Sequence, residues 1–208
     1  MLRVRCLLPL AVFAALLGFA APSHAQTVID EWPSIKTPPA PELKPVTVDP
    51  KTTALLVLDF LNQNCGHRPR CLATIPAMKK LLAEARAKGV TVIYTFWSTV
   101  TDVIKDVAPV DKEPTVVSQL PDKFLNSDLD KILKDHGITT VIVNGTSAQG
   151  TVLYTGSEAA LHGYKVIVPV DGMSSDDAYP EQFTAWLMAN GPGFGARVTL
   201  TRIDMIKF

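Results

Sequence analysis

The feature that most constrains this chain is the regular alternation of short apolar runs with segments of helical pattern. The first run, Ala54–Leu58, is continuously apolar and ends at Asp59, as a strand buried on both faces does. Further strands are predicted at residues 90–96, 116–117, 138–143, 164–170 and 198–203. Helices are predicted between them at residues 75–88, 128–136, 151–162 and 180–190. Strands spaced by helices form right-handed βαβ units, so we predict a three-layer α/β/α fold with a mostly parallel six-stranded sheet.

Composition limits the classes of partner. The chain has 208 residues, 47% of them hydrophobic, which suits one domain with a sizeable core. Its 20 basic residues balance 20 acidic ones, and a chain without excess positive charge is not expected to bind nucleic acid. In parallel sheets, ligands bind beyond the carboxyl ends of the strands. We therefore expect a small-molecule ligand or substrate.

The first residues have the layout of a secretory signal. Arg3 and Arg5 precede an apolar run, and Ser23-His24-Ala25 supplies small residues for cleavage. We expect residues 1–25 to be removed, which predicts a periplasmic or secreted protein without a stable membrane anchor. Residues 26–50 contain six prolines, so we predict an extended arm rather than a helix or central strand, with Trp32 as its anchor. The domain is then expected to span residues 51–208.

Two cysteines lie close together after the predicted signal. Cys65 and Cys71 flank a short segment with glycine and proline, and in an exported protein such a pair is typical of a disulfide. The alternative is a thiol nucleophile at one of them. An oxidising compartment would consume an unprotected thiol, which favours the disulfide.

A turn of small residues follows the strand that ends at Val143. Free N–H groups at the start of the next helix favour a carboxylate, a phosphate or a developing oxyanion. The turn is not a P-loop, because no Lys follows Gly150, and it is not a G-x-S-x-G elbow. Tight turns also need glycine for geometry alone, so this pattern leaves both interpretations open. The candidate ligand-binding residues are Gly145, Ser147, Gln149, Gly150 and, after the second strand, Trp97.

Four segments, in order, carry a resemblance to a known family. They are Ala54–Asp59, Phe124–Leu129, the turn at Gly145 and Ala159–Val166. In this order and spacing the chain resembles the isochorismatase-like (cysteine hydrolase) superfamily, which includes nicotinamidases and N-carbamoyl amidases. The resemblance implies an α/β hydrolase that acts on a C–N or ester bond of a small molecule.

The family's active site is an Asp, a Lys and a Cys, and this sequence departs from it. Asp59 matches the Asp. The family's Lys lies six residues before the Phe, and counting back from Phe124 gives Ser118. Lys123 adjoins that Phe, so it replaces the family's Lys only if the loop is rearranged. The family's Cys lies six residues beyond the Gly, which gives Thr151. The candidate catalytic residues are thus Asp59, Ser118 and Thr151.

The missing thiol leaves three interpretations open. A hydroxyl is far less acidic than a thiol and needs a strong base in contact, for which Asp59 is the candidate. Thr151 is a weak nucleophile, or Asp59 activates water directly, or the protein is catalytically silent and binds a small anionic ligand at the Gly145–Thr151 turn. An enzyme and a binding protein differ in whether Asp59 and the Thr151 hydroxyl converge on one site.

Neither a metal nor a cofactor is predicted. Some family members hold a metal with an Asp and two His. Here His136 and His162 each precede a glycine at a predicted helix end, where we interpret them as structural. His67 alone does not make a metal site, although a role in proton transfer stays open. We expect a homo-oligomer.

Overall fold

A parallel β-sheet forms the centre of the protein, whose computed structural model describes residues 27–99 and 101–208. The strands are β1 (Val46–Thr47), β2 (Thr53–Leu58), β3 (Thr91–Phe96), β4 (Thr115–Val117), β5 (Thr140–Thr146), β6 (Lys165–Pro169), β7 (Met173–Ser174), β8 (Val198–Thr201) and β9 (Ile206–Lys207). Six of them lie in the order β4-β3-β2-β5-β6-β8, and all neighbours are parallel. β7 pairs with the end of β5, which makes seven strands rather than the predicted six. β7 was missed because two residues are too few to show a strand pattern.

Helices cover both faces of the sheet, as predicted. The α-helices of residues 38–208 are α2 (Asn62–Cys65), α3 (Pro69–Ala87), α4 (Leu129–Asp135), α5 (Leu153–Leu161) and α6 (Ala178–Asn190), and α1 (Val28–Glu31) belongs to the separate N-terminal unit. A π-helical segment, Ala148–Val152, leads directly into α5. None of the helices in the described ranges combines the length and apolarity needed to span a membrane.

Alternate residues of β2 enter different halves of the core. Leu56 and Leu58 pack in the cluster that includes residues of α4, α5 and α6. Leu55 and Val57 pack in the cluster that includes residues of α3. Every residue of β2 is buried, which is what its unbroken apolar run predicts. The three-layer α/β/α fold is confirmed.

The N-terminal part of the chain differs from the sequence-based prediction. The predicted signal peptide lies outside the described residues. Within the described residues, 27–37 form a unit apart from 38–208, so the last part of the predicted arm belongs to the larger unit, where β1 pairs with β9. The prediction that residues 26–50 contain no helix is wrong for α1, which ends before Pro33. The Asp30 carboxylate accepts hydrogen bonds from the N–H and the hydroxyl of Thr27, at 2.8 and 2.9 Å, and so holds the first turn. Trp32 is 68% exposed, and its role as an anchor stays a prediction.

Candidate active site

The predicted site residues meet at one edge of the sheet. Asp59 directly follows β2, Trp97 follows β3 and Ser118 follows β4, while Ser147 follows β5. These four strands are neighbours and all parallel, so their carboxyl ends lie side by side. The edge is therefore where a parallel sheet is expected to bind its ligand.

The backbone at Asp59 turns its side chain into this edge. Asp59 has a φ of 58°, in the left-handed region that Asp adopts more readily than most residues. Its N–H donates to the Thr95 carbonyl at 3.2 Å, and its own carbonyl accepts from the Leu61 N–H at 2.8 Å and from Asn64 Nδ2 at 3.2 Å. These bonds hold the turn, and Asp59 is only 2% exposed.

Two donors converge on one oxygen of the Asp59 carboxylate. The Lys123 ammonium lies 2.9 Å from Oδ2, and the Thr151 hydroxyl donates to the same oxygen at 3.1 Å. Thr95 Oγ1 lies 3.4 Å from Oδ1. Asp59 and the Thr151 hydroxyl therefore share one buried site, which answers the question that the sequence left open.

Lys123, and not a residue at the aligned position 118, supplies an ammonium beside Asp59. Lys123 is fully buried, at 0% exposed, and its Nζ also donates to the Ser118 carbonyl at 2.8 Å. Its backbone N–H donates to Thr155 Oγ1 at 3.2 Å, which fixes Lys123 against α5. Ser118 occupies the aligned position but contributes only its main-chain carbonyl to this ion pair. The long lysine side chain reaches back across the loop, so an Asp–Lys pair exists although the spacing in the sequence is different.

Opposing effects act on the Asp59 carboxyl. Burial raises its pKa above the ordinary value, because water no longer solvates the charge. The Lys123 ammonium and the hydroxyls of Thr151 and Thr95 act in the opposite direction by stabilising the carboxylate. Burial is the larger effect, so the pKa of Asp59 stays raised, and a raised pKa makes the carboxylate a stronger base.

The turn between β5 and α5 depends on the glycine at position 145. A Cβ on Gly145 would lie 2.4 Å from the Leu58 carbonyl oxygen, so β5 approaches β2 this closely only with glycine. A Cβ on Gly150 would lie 2.6 Å from Ser147 Oγ. The peptide bond between Thr146 and Ser147 is cis. The tight turn places Thr151, which is 6% exposed, in the π-helical segment beneath the cavity.

A cavity of about 610 Å³ opens over these groups. Most of the predicted residues line it: Asp59, Trp97, Ser147, Gln149 and Thr151. Three of the predicted residues do not line it. Gly145 and Gly150 lie in the stretch that leads from β5 to Thr151, and Ser118 accepts a hydrogen bond from Lys123 at its carbonyl. The remaining lining residues, none of them among the candidate site residues, are Gln63, Asn64, His67, Arg68, Gln119, Leu120, Pro121, Lys123, Thr146 and Asp176. This volume is in the range of pockets that bind small molecules.

A disulfide closes the loop that forms one wall of the cavity. Cys65 and Cys71 are bonded, with 5.3 Å between their Cα atoms, and both are buried. The predicted disulfide is thus present in the structure. The loop between them carries His67 and Arg68, which both line the cavity. Their position on the segment that follows Asp59 at the end of β2 was a signal for this wall.

Outside the cavity, the described residues contain two further histidines. His136 Nδ1 contacts the Ile132 carbonyl at 2.8 Å, and His162 contacts Asp130 and Glu158 at 3.2 and 3.1 Å. No group of three or more metal-ligating side chains occurs within residues 27–99 and 101–208.

Comparisons with known proteins agree with this geometry. The sequence profile described as "Isochorismatase domain" matches residues 53–202. N-carbamoylsarcosine amidase of Arthrobacter sp. is 27% identical over 153 residues, which is 56% of this chain and 57% of that protein. Maleamate amidohydrolase of Pseudomonas putida is 26% identical over 146 residues, which is 55% of this chain and 68% of that protein. A cysteine hydrolase from Pseudomonas syringae superposes with a TM-score of 0.68 at 22% identity, covering 79% of this chain and 94% of that one. With the domain match spanning most of its length, this chain belongs to the isochorismatase family of hydrolases.

Proposed function

We propose that the protein hydrolyses an amide or ester bond of a small molecule, with the Thr151 hydroxyl as nucleophile and Asp59 as general base. One observation carries the proposal: Thr151 Oγ1 donates to Asp59 Oδ2 at 3.1 Å inside the buried end of the cavity. A nucleophile within hydrogen-bond reach of its base is the arrangement that covalent catalysis needs. Two relatives whose names describe amide hydrolysis, N-carbamoylsarcosine amidase and maleamate amidohydrolase, support an amide as the substrate.

The contact between Thr151 and Asp59 supports a two-stage reaction. As Thr151 Oγ1 bonds to the substrate's carbonyl carbon, Asp59 accepts the hydroxyl proton. The carbonyl oxygen becomes an oxyanion, which the N–H groups at the start of the helical segment Ala148–Val152 stabilise. The C–N bond then breaks, and Asp59 returns the proton to the departing amine. Water then attacks the resulting ester while Asp59 takes its proton. As the bond between the acyl carbon and Thr151 Oγ1 breaks and the acid leaves, Asp59 returns that proton to Thr151 Oγ1.

The Lys123 ammonium affects how readily the Asp59 carboxyl ionises. A hydroxyl is a weaker acid than the family's thiol, so its base has to be stronger. Burial raises the pKa of Asp59, while the Lys123 ammonium at 2.9 Å keeps the carboxylate form accessible in the dry site. The lysine and the buried aspartate together compensate in part for the missing thiol.

The first test is an amide and ester hydrolysis screen on the purified protein, with ammonia release and chromogenic ester cleavage as readouts. We expect Asp59→Asn to lower the rate by about 10²–10⁴-fold, the usual contribution of a general base. We expect a comparable loss in Thr151→Val. Thr139→Val is the matched control, because this exposed threonine precedes β5 at the opposite edge of the sheet. If Thr151→Val keeps its activity, water activated by Asp59 is the nucleophile.

A cysteine at position 151 separates hydrolysis from binding. Thr151→Cys places the family's nucleophile beside the Asp59–Lys123 pair that is already present. We therefore expect higher activity and a covalent acyl adduct, visible by mass spectrometry on the peptide that contains residue 151. If neither the parent nor Thr151→Cys hydrolyses any compound in the screen, the hydrolase proposal is refuted and ligand binding without catalysis becomes the better explanation.

We also propose that the chain is exported and loses residues 1–25. The charged start, apolar run and small-residue end of that segment support export, and so does the Cys65–Cys71 disulfide, because such bonds persist in oxidising compartments. N-terminal sequencing of the exported protein should begin near Gln26. A mature protein that starts at Met1 contradicts the proposal.

A further inference from the structure

The guanidinium of Arg68 lies on the cavity wall with donors to spare. Its Nε donates to Asp176 Oδ1 at 2.6 Å, and its Nη1 donates to the Asn64 carbonyl and to Thr146 Oγ1, both at 3.0 Å. Within the part of the chain that the structure describes, Nη2 has no hydrogen-bond partner. The guanidinium is thus fixed by two neutral acceptors and one acid, with two N–H groups left for a ligand.

The acid that pairs with Arg68 is easily displaced. The Arg68 side chain is 16% exposed, whereas that of Asp176 is 73% exposed. Exposed ion pairs contribute little to stability, because water solvates the separated charges well. A ligand carboxylate can therefore take the place of Asp176 on the guanidinium, while Asp176 turns into solvent.

Arg68 is connected to the reactive groups by short contacts. Asn64 donates from Nδ2 to the Asp59 carbonyl and accepts from Arg68 at its own carbonyl. Thr146, which accepts from Arg68, is the last residue of β5 and begins the turn that ends at Thr151. These side chains line the same cavity of about 610 Å³. One small molecule can therefore contact both Thr151 and Arg68.

The charges of the cavity favour an anionic group at Arg68. Lys123 is neutralised by Asp59 in a pair whose two side chains are almost completely buried. Arg68 also lines the cavity, and its acidic partner is exposed. Its planar guanidinium can bind a carboxylate through two parallel hydrogen bonds. We propose that Arg68 binds a carboxylate of the substrate and that Asp176 occupies this subsite in the empty protein. This subsite rests on the proposed function, and it makes the substrate a small amide or ester that also carries a carboxylate.

The test measures binding rather than turnover. The probes are succinate, which has no bond to hydrolyse, and its neutral diamide succinamide, titrated into the protein by calorimetry. We expect wild type to bind succinate and not succinamide. We expect Arg68→Gln to weaken succinate binding roughly 10- to 100-fold, as loss of a charge-assisted hydrogen bond does. We expect Asp176→Asn to bind it about two- to fivefold more tightly, because the competing carboxylate is gone.

Arg70→Gln is the matched control. Arg70 belongs to the same disulfide-closed loop and pairs with Glu181, but it does not line the cavity, so succinate binding should be unchanged. Equal binding of succinate and succinamide, or no binding of succinate by wild type, overturns the proposal. Unchanged succinate affinity in Asp176→Asn also overturns the proposal. This variant retains Arg68, so it tests the subsite even if Arg68→Gln does not fold. Hydrolysis without succinate binding refutes the subsite alone, while succinate binding without hydrolysis refutes the proposed activity alone.

Discussion

Replacing Lys123 by methionine removes one partner of a buried ion pair and keeps most of the side-chain volume. The side chains of Lys123 and Asp59 are 1% and 3% exposed, so the remaining carboxylate has almost no access to water. Breaking such a pair costs about 3–5 kcal/mol, because a buried charge is left uncompensated. For a domain of this size, that loss lowers the melting temperature by roughly 6–20 °C.

The loss should depend on pH in a definite direction. Without the ammonium, burial raises the pKa of Asp59 further, and the native state binds a proton that the unfolded state has released. Stability then falls as pH rises from about 3.9, the ordinary Asp value, to the new folded pKa, with a slope of about 1.4 kcal/mol per pH unit. The gap between Lys123→Met and wild type should therefore be larger at pH 8 than at pH 5.

Urea denaturation without reductant, at both pH values, measures this. Asp59→Asn combined with Lys123→Met removes both charges, so at pH 8 the double variant should be more stable than Lys123→Met alone. The coupling energy between the two positions should be about 1–3 kcal/mol. Additive effects, or a Lys123→Met variant equally destabilised at both pH values, would show that the two side chains do not form the ion pair described above.

Three further outcomes are expected. Wild-type kcat/KM should fall at acid pH with a midpoint above about 3.9, because burial raises the pKa of Asp59 and the base must be ionised; a midpoint at or below that value contradicts this. Replacing both Cys65 and Cys71 by serine should lower the unfolding free energy by about 2–3 kcal/mol, because the disulfide that closes this short loop is lost. Thiol titration of denatured, unreduced wild type should find neither cysteine free. Gly145→Ala should be at least about 1 kcal/mol more destabilising than Gly163→Ala, because both substitutions strain a positive φ but only the first also clashes with β2. Equal unfolding free energies of the two variants would refute the close approach of β5 to β2.

The sequence determined the layers of the fold because its signals are local. Six strands and four helices follow from apolar runs and helical periodicity, and the unbroken apolar run of β2 already indicates burial on both faces. The positions of Asp59 at the end of β2 and of Thr151 in the turn that follows β5 also follow from the sequence, because parallel strands bring their carboxyl ends to one edge. β7 and β9 did not follow, since a two-residue strand is defined by its partner rather than by its own pattern.

The content of the site was decided by tertiary structure. Counting from Phe124 placed Ser118 where the family has its lysine, and only the folded loop shows that Lys123 reaches Asp59 from five residues further on. The reason is physical: a lysine side chain is long and flexible, so the position of its ammonium depends on how the surrounding loop packs and not on spacing in the chain. The sequence alone determined which residues are available at this edge of the sheet, and the packing of the loops decided which of them touch.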